Sequence, residues 1–276
     1  MTSLSSEPTE WLAERESLRA ARGAGPRLLL DGSRLVEAAQ TAGLVIERLW
    51  LCPPLYSDPT RTLALLGALP RVPKLTLDVR AFSRVSYKAD GVVAVVVYAT
   101  PSLDDVLAAP PIRHADAGLR AADLVLVLDG LSDPGNVGAV ARTANAWGAR
   151  GLIAVDGLAR LRHPKGIRAS MGAIFHTPCA SASRVEVARR LEGRPVLALT
   201  APPPGMPSRT GLPDEAWDAE ELVVVLGNER RGVHPQLLRV ATWTATIPML
   251  GFVDSLNVSN AAAVVLWERA RRRGAS

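Results

Sequence analysis

The stretch "LVLVLDGLSDPGNVGAVARTANAWGA", residues 124–149, joins a buried apolar segment, a glycine-rich turn and a helix of small residues. Its first part, "LVLVLD", predicts a strand buried on both faces, which is typical of parallel sheets covered by helices. A glycine-rich turn with Asp133 and Pro134 follows, and then a helix rich in small residues. Since Gly135 and Gly138 lack side chains, we expect another part of the molecule or a ligand to approach them closely.

Two nucleotide-binding motifs also place a glycine-rich turn between a strand and a helix, but neither fits this turn. The dinucleotide fingerprint needs glycines in the pattern G-x-G-x-x-G, whereas they stand here at Gly130, Gly135 and Gly138. The P-loop needs a Gly-Lys pair followed by Ser or Thr, and the turn has none. The turn therefore predicts a different kind of site.

The helix after the turn carries two polar residues of interest, Asn136 and Arg142. Because they are six positions apart, they lie about 120° out of phase on a helix and can flank one pocket without sharing a narrow face. Arginine is rarely buried, so an ordinary surface position for Arg142 is the alternative interpretation.

Two further polar clusters follow buried segments later in the chain. In "VVVLGNERRGV", residues 223–233, Gly227, Asn228 and Glu229 come at the carboxyl end of a strand, the usual ligand position in a parallel sheet. By itself, Gly-Asn is also a good turn.

The third cluster lies in "IPMLGFVDSLNVSNAAAVVLWE", residues 247–268. Ser255 or Asn257 is expected to cap a helix whose first turn holds Ser259 and Asn260. A cap explains one polar residue of the four, so a ligand is a plausible reason for the rest.

Alternating strand and helix patterns predict an α/β protein of two domains. A small α/β unit is expected over residues 26–105, a proline-containing boundary follows, and a parallel sheet between helices is expected over residues 120–276. Residues 1–25 are predicted to form a helical arm. The proline-rich loop after Thr200 is either a lid over the site or a surface excursion.

Charge and cysteine content restrict the class of partner. The net charge is +5 and comes mainly from arginine, which suits an RNA partner but also follows from a GC-rich genome. Cys52 and Cys179 stand alone, so neither a disulfide framework nor a metal site is expected. No export signal or membrane span is evident, and a cytoplasmic location is the expectation.

Taken in order, "DPGNVGAVART", "LGNERRGV" and "IPMLGFVDSLNVSNAAAVVLWE" resemble the three motifs of the SpoU (TrmH) family of RNA ribose 2′-O-methyltransferases, in the SPOUT superfamily. The earlier part of the chain resembles the RNA-binding domain that precedes the catalytic domain in many members, so the resemblance covers roughly residues 26–272. It implies a trefoil-knotted catalytic domain, S-adenosylmethionine as cofactor and a homodimer whose interface completes the active site.

The resemblance also implies roles for individual residues. The catalytic set is Asn136, Arg142, Glu229, Ser255 and Asn257. The expected cofactor contacts, mostly through backbone groups, are Thr200, Ala201, Gly227, Asn228, Ile247, Pro248, Met249 and Leu256. Arg230, Arg231 and Asn260 depart from the common family pattern, which bears on substrate specificity rather than on the chemistry.

The implied activity is 2′-O-methylation of a ribose in RNA, with 23S ribosomal RNA favoured by the N-terminal domain. A tRNA methyltransferase and a non-catalytic RNA-binding relative are the alternatives, and both housekeeping and antibiotic-resistance roles are open. A guanidinium has a pKa above about 12 and is a poor base. We therefore expect Arg142 to anchor a phosphate and stabilise the emerging alkoxide, while Asn136, Ser255 and Asn257 orient the hydroxyl.

Overall fold

The computed structural model describes residues 25–86, 90–111, 121–200, 213–249 and 255–274. The predicted N-terminal arm, except for residue 25, lies outside the described residues, as do Ala201 and most of the proline-rich loop that follows it. No helix within the described ranges combines the length and the apolar character needed to cross a membrane.

The first sheet has four strands in the spatial order β1-β4-β2-β3. Strand β4 is antiparallel to β1 and β2, and β3 is parallel to β2. The strands are β1 (Arg27–Asp31), β2 (Val45–Leu51), β3 (Lys74–Thr76) and β4 (Val92–Val97), and the helices are α1 (Ser33–Thr41), α2 (Pro59–Ala68) and α3 (Val79–Val85).

The segment "KLTLDV", residues 74–79, alternates polar and apolar side chains and predicts a strand, but the strand found there, β3, is shorter. It ends at Thr76, and Asp78 caps α3 by accepting a hydrogen bond from the backbone N–H of Ala81 at 2.7 Å. The N-cap preference of aspartate outweighs the apolar alternation there. Helix α4 (Leu103–Ala108) was not predicted either. It lies within the proline-containing segment and begins with a capping box formed by Ser102 and Asp105.

The second sheet has six strands in the order β10-β8-β9-β5-β6-β7, and every adjacent pair is parallel. The predicted parallel α/β fold is therefore confirmed. The strands are β5 (Leu124–Asp129), β6 (Gly151–Val155), β7 (Cys179–Ala182), β8 (Val196–Leu199), β9 (Leu222–Leu226) and β10 (Trp243–Ala245). The helices are α5 (Pro134–Ala146), α6 (Leu158–Leu161), α7 (Pro164–Ser170), α8 (Arg184–Leu191), α9 (Asp214–Asp218), α10 (Pro235–Leu238) and α11 (Val258–Gly274).

The segment "IRASMGAIF", residues 167–175, predicts a helix, but the helix found there is interrupted. Helix α7 ends at Ser170, Met171 takes a left-handed conformation with φ of 53°, and a short 3₁₀ turn covers Ala173–Phe175. Gly172 follows with φ of 88°, a conformation that favours glycine, so the chain turns here instead of continuing the helix.

Helices cover the second sheet on both faces, as the uninterrupted apolar strands predicted. Along β5, Leu124, Leu126 and Leu128 join a core that includes residues of α5 and α11, whereas Val125 and Val127 join a core that includes residues of α8 and α10. The alternation follows from the two-residue period of a strand. All the strand's side chains, including that of Asp129 at its end, are consequently excluded from water.

A buried arginine joins the two sheets. Arg162 is 6% exposed and donates to the backbone oxygens of Tyr98 and Arg27, both at 3.2 Å. The hydroxyl of Tyr98 donates in return to the carbonyl of Ile174 at 3.1 Å. The first sheet is thus held against the helical face on which α5 lies, while the domain bounds 26–105 and 120–276 stay a prediction.

Candidate functional site

A cavity of about 190 Å³ opens at the carboxyl edge of the second sheet, where parallel α/β folds bind ligands. Its lining residues come from the segments that follow β8, β9 and β10 and from the start of α11. The residues that line it are Leu199, Thr200, Leu226, Gly227, Asn228, Glu229, Arg230, Gly232, Thr246, Ile247, Met249, Ser255, Leu256, Val258 and Ala261. The wall is mainly apolar with a few polar groups, which is the usual make-up of a small-molecule site.

The loop after β9 is a closed turn built around Asn228. Its backbone N–H donates to the carbonyl of Gly232 at 3.0 Å, and the Gly232 N–H donates back at 2.8 Å. Its side-chain oxygen accepts from the backbone N–H groups of Arg230 and Arg231, and its amide donates to the carbonyl of Gly130 at 2.9 Å. The side chain of Asn228 therefore fixes this loop and ties it to the loop after β5.

Gly227 sits where no side chain can be accommodated. A Cβ atom at this position would lie 2.2 Å from the carbonyl carbon of Gly232 and 2.3 Å from the backbone nitrogen of Val233. The requirement comes from the close approach of two backbone segments in the same loop. Gly227 thus lets the loop fold back beside the cavity floor.

A hydrogen-bonded chain of three side chains connects the three sequence motifs. The amide of Asn136 donates to Oε1 of Glu229 at 2.7 Å, and the amide of Asn257 donates to Oδ1 of Asn136 at 3.3 Å. Asn257 also caps α11, since its Oδ1 accepts from the backbone N–H of Ser259 at 2.9 Å. Residues far apart in sequence therefore meet beside the cavity.

The start of α5 is held in place by an ion pair. Asp133 accepts from the backbone N–H of Gly135 at 2.8 Å and from Nζ of Lys165 at 2.8 Å. The Lys165 ammonium, with the help of the Gly135 N–H, lowers the pKa of the Asp133 carboxyl below its usual value. Asp133 and Lys165 together anchor the turn that presents Asn136.

The structure brings most of the residues singled out by sequence to this cavity. Thr200, Gly227, Asn228, Ile247, Met249 and Leu256 line it, as do Glu229 and Ser255 from the expected catalytic set. Asn136 and Asn257 join through the hydrogen-bonded chain. Pro248 is not among the lining residues, and Ala201 lies outside the described part of the chain.

Arg142 is placed differently from the other expected residues. It is exposed on α5, about 9 Å along the helix axis from Asn136, and does not line the cavity. It makes no hydrogen bond or ion pair with any residue that the structure describes. Within one chain, then, Arg142 and the cavity are separate features.

Sequence reasoning missed Asp129, a carboxylate that positions the site. Asp129 is 2% exposed at the end of β5, where it accepts from Nε of Arg184 at 2.9 Å and from the backbone N–H of His234 at 2.7 Å. These bonds connect β5 to the end of the loop after β9. An acidic residue ending an apolar strand is the signal that would have pointed to it.

Thr246 was also missed, although it is 5% exposed and lines the cavity. It follows the short strand β10, in the segment "TWTATIPM", residues 242–249, whose pattern predicts a strand. Nothing in the local pattern distinguishes Thr246 from the neighbouring threonines, so only the fold identifies it.

Comparison with known proteins gives a consistent set of relatives. The sequence model of the SpoU rRNA methylase family matches residues 123–267. A 23S rRNA (adenosine(1067)-2′-O)-methyltransferase from Streptomyces laurentii is 37% identical over 177 residues, 62% of this chain and 63% of that protein. A 23S rRNA (uridine(2479)-2′-O)-methyltransferase from Streptomyces viridochromogenes is 31% identical over 196 residues, 66% of this chain and 60% of that protein. The chain thus spans about three fifths of the length of these curated relatives.

Solved structures extend the likeness to nearly the whole chain. The SpoU methyltransferase AviRb from Streptomyces viridochromogenes, in complex with the cofactor AdoMet, has a TM-score of 0.76 at 25% identity and covers 95% of this chain and 97% of its own. An RNA 2′-O ribose methyltransferase has a TM-score of 0.73 at 27% identity and covers 98% of each chain.

Proposed function

Because the chain belongs to the SpoU rRNA methylase family, we propose that it transfers the methyl group of S-adenosylmethionine to the 2′-hydroxyl of a ribose in RNA, with 23S ribosomal RNA as substrate. The observation that carries the proposal is the chain of hydrogen bonds from Glu229 through Asn136 to Asn257 at the rim of an apolar cavity. Ribosomal RNA is favoured over tRNA because the named relatives act on 23S rRNA.

The cavity fits the proposed cofactor. Leu199, Leu226, Ile247 and Leu256 offer apolar walls for an adenine ring, and Gly227 lets the loop after β9 fold back beside the floor. Backbone groups of these loops supply donors and acceptors at the same edge of the sheet. When bound, S-adenosylmethionine supplies an electrophilic methyl group.

The chain's own residues then act on the ribose. A ribose hydroxyl is a poor nucleophile at neutral pH. The protein must therefore orient the hydroxyl and stabilise the charge that develops on its oxygen. We assign the orientation to Asn136, Ser255 and Asn257, which stand at or beside the cavity rim. As the hydroxyl proton leaves to solvent water, the guanidinium of Arg142 anchors the adjoining phosphate and stabilises the negative charge left on the oxygen.

Loss of Asn136 should reduce methyl transfer without unfolding the protein. In Asn136→Ala, Glu229 and Asn257 both lose their shared partner, so we expect kcat to fall by about ten- to a hundredfold. Steady-state kinetics with labelled cofactor measure the change. Asn145→Ala on the same helix removes only a hydrogen bond to Thr177 and should leave kcat near the wild-type value. Equal kcat in Asn136→Ala and the wild type would contradict the assigned role.

The exposed position of Arg142 leads us to propose a homodimer that completes the site. Helices α5 and α11 pack against each other, and α11 keeps two large apolar residues in solvent, with Trp267 49% and Val264 38% exposed. Exposed apolar side chains of this kind are commonly covered by a partner surface. A second copy of the chain would bring Arg142 of one protomer to the cavity of its partner.

Trp267→Glu tests the dimer. A charge placed in the apolar contact should shift the protein toward monomer, and sedimentation velocity measures the shift. The matched control is Val185→Glu on α8, where Val185 is 66% exposed on the opposite side of the sheet. We expect this control to sediment as the wild type does. A wild-type protein that sediments as a monomer at all concentrations would refute the dimer.

We further propose that the catalytic part of the chain forms a trefoil knot. Support comes from the sheet order, in which β10 lies beside β8 rather than beside its predecessor β9.

The free, buried Cys52 and Cys179 fit a reducing compartment, and we propose that the protein works in the cytoplasm, where ribosomes are found.

The activity is tested by incubating purified protein and tritiated S-adenosylmethionine with unmodified 23S rRNA and with bulk tRNA in parallel. We expect label in 23S rRNA, and mapping of ribose methylation in rRNA from cells with and without the protein then locates the nucleotide. Label in tRNA alone would reassign the substrate. Binding of RNA without label in either would indicate a non-catalytic relative.

A further inference from the structure

Two consecutive arginines stand at the mouth of the cavity. Arg230 lines it, Arg231 follows, and both side chains are exposed. Their backbone N–H groups donate to the side-chain oxygen of Asn228. Neither guanidinium has a hydrogen bond or ion pair with any part of the chain that the structure describes.

The backbone that carries these arginines is already fixed. Asn228 and Gly232 close the loop with two backbone hydrogen bonds, and the side chain of Asn228 links it to Gly130. A ligand that binds to the two guanidiniums therefore has to order only side chains, which limits the entropy lost on binding.

Two acidic groups of the site, those of Glu229 and Asp133, already have partners. Oε1 of Glu229 accepts from Asn136, and Asp133 is paired with Lys165. The positively charged donors left without a described partner at the rim are those of Arg230 and Arg231. Guanidinium groups without a partner favour the binding of an anion. The planar guanidinium of arginine can form two hydrogen bonds to one phosphate, so a phosphate fits in particular.

We propose that Arg230 and Arg231 bind the phosphates of the RNA strand that flank the target nucleotide, and so hold its ribose over the cavity. The inference rests on the proposed function, since it assigns these residues to RNA brought to that site. Two adjacent cations fit a chain of successive phosphates better than the single carboxylate of the cofactor. Arg231 does not line the cavity, so it stands where RNA outside the cavity can reach it and not where the cofactor is expected.

The test is the salt dependence of binding to in vitro-transcribed 23S rRNA, measured by filter binding between about 50 and 200 mM NaCl. For the double variant Arg230→Gln/Arg231→Gln, we expect the slope of log K against log salt to become shallower by about 1.4, since each lost contact to a single strand contributes about 0.7. The affinity at low salt should fall by about tenfold or more.

Two further variants control for folding and for general charge. Arg230→Lys/Arg231→Lys keeps the charge and should keep the wild-type slope. Arg189→Gln/Arg239→Gln removes two exposed arginines from the groove between α8 and α10, on the face away from α5, and should also keep it. Affinity for S-adenosylmethionine, measured by calorimetry, should be unchanged in all three variants.

An unchanged salt slope in the glutamine variant would overturn the assignment, and so would a loss of cofactor affinity in place of RNA affinity. Failure of the proposed function is recognised separately, because it would appear as absent methyl transfer by the wild-type protein. The binding slopes report on Arg230 and Arg231 without depending on turnover.

Discussion

Arg142→Ala should lower the rate of methyl transfer to RNA by about a hundred- to a thousandfold, the loss typical of removing a group that stabilises transition-state charge. The residue is exposed and without a described partner on α5, so its removal leaves the fold and the cavity intact. Single-turnover kinetics measure the rate, and calorimetry should show unchanged affinity for S-adenosylmethionine. Arg142→Lys should also be severely impaired, because an ammonium lacks the planar fork.

A mixing experiment separates the role of Arg142 from that of the cavity. If Arg142 of one protomer serves the cavity of its partner, then mixing Arg142→Ala with Asn136→Ala should restore part of the activity. In the mixed dimer, one cavity keeps its own Asn136 and receives an intact Arg142. No recovery in verified mixed dimers would contradict a shared site, and near wild-type activity of Arg142→Ala alone would remove the residue from the mechanism.

Gly138→Ala should lower the free energy of unfolding by about 3 kcal/mol, at the upper end of the usual cost of overpacking. A Cβ at this position would lie 2.0 Å from the carbonyl oxygen of Gly166 and 2.9 Å from the Cβ of Ala169. Helices α5 and α7 would have to move apart, and α5 carries Asn136. Urea denaturation measures the change, and cofactor affinity should fall with it.

Gly67→Ala is the matched control for this substitution. Gly67 lies in α2, and a Cβ there would meet nothing within 4 Å. Because alanine has the higher helix propensity, we expect this variant to gain up to about 1 kcal/mol. A similar stability change in both variants would mean that the approach of Gly138 to Gly166 does not limit the packing.

Much of the fold follows from local patterns. Apolar runs such as "LVLVLD" and "ELVVVLG" gave β5 and β9 nearly at their observed bounds, and their lack of alternation indicated a sheet covered on both faces. The three motifs gave the family, and the match over residues 123–267 confirms it.

Other elements depended on their surroundings. Strand β7 has the sequence "CASA", which has no β-branched residue, and it forms because the edge of β6 offers unpaired backbone groups. The interruption at Met171 and Gly172 follows from the approach of α1, where a Cβ on Gly172 would lie 2.4 Å from that of Ala38. Contacts between residues so far apart in the sequence leave no periodic pattern in it.

The residues of the site were available from sequence, but their relations were not. Asn136, Glu229 and Asn257 stood out as polar groups after apolar segments, because the carboxyl ends of parallel strands share one edge. Only the packed structure shows that Asn136 bridges Glu229 and Asn257. It also shows that the side chain of Asn228 bonds within its own loop and to Gly130, and that Arg142 faces solvent. Residue type and spacing determine which polar side chains can stand at the carboxyl edge of the sheet. The direction in which each side chain points, and the group it bonds to, depend on the helices packed around that edge.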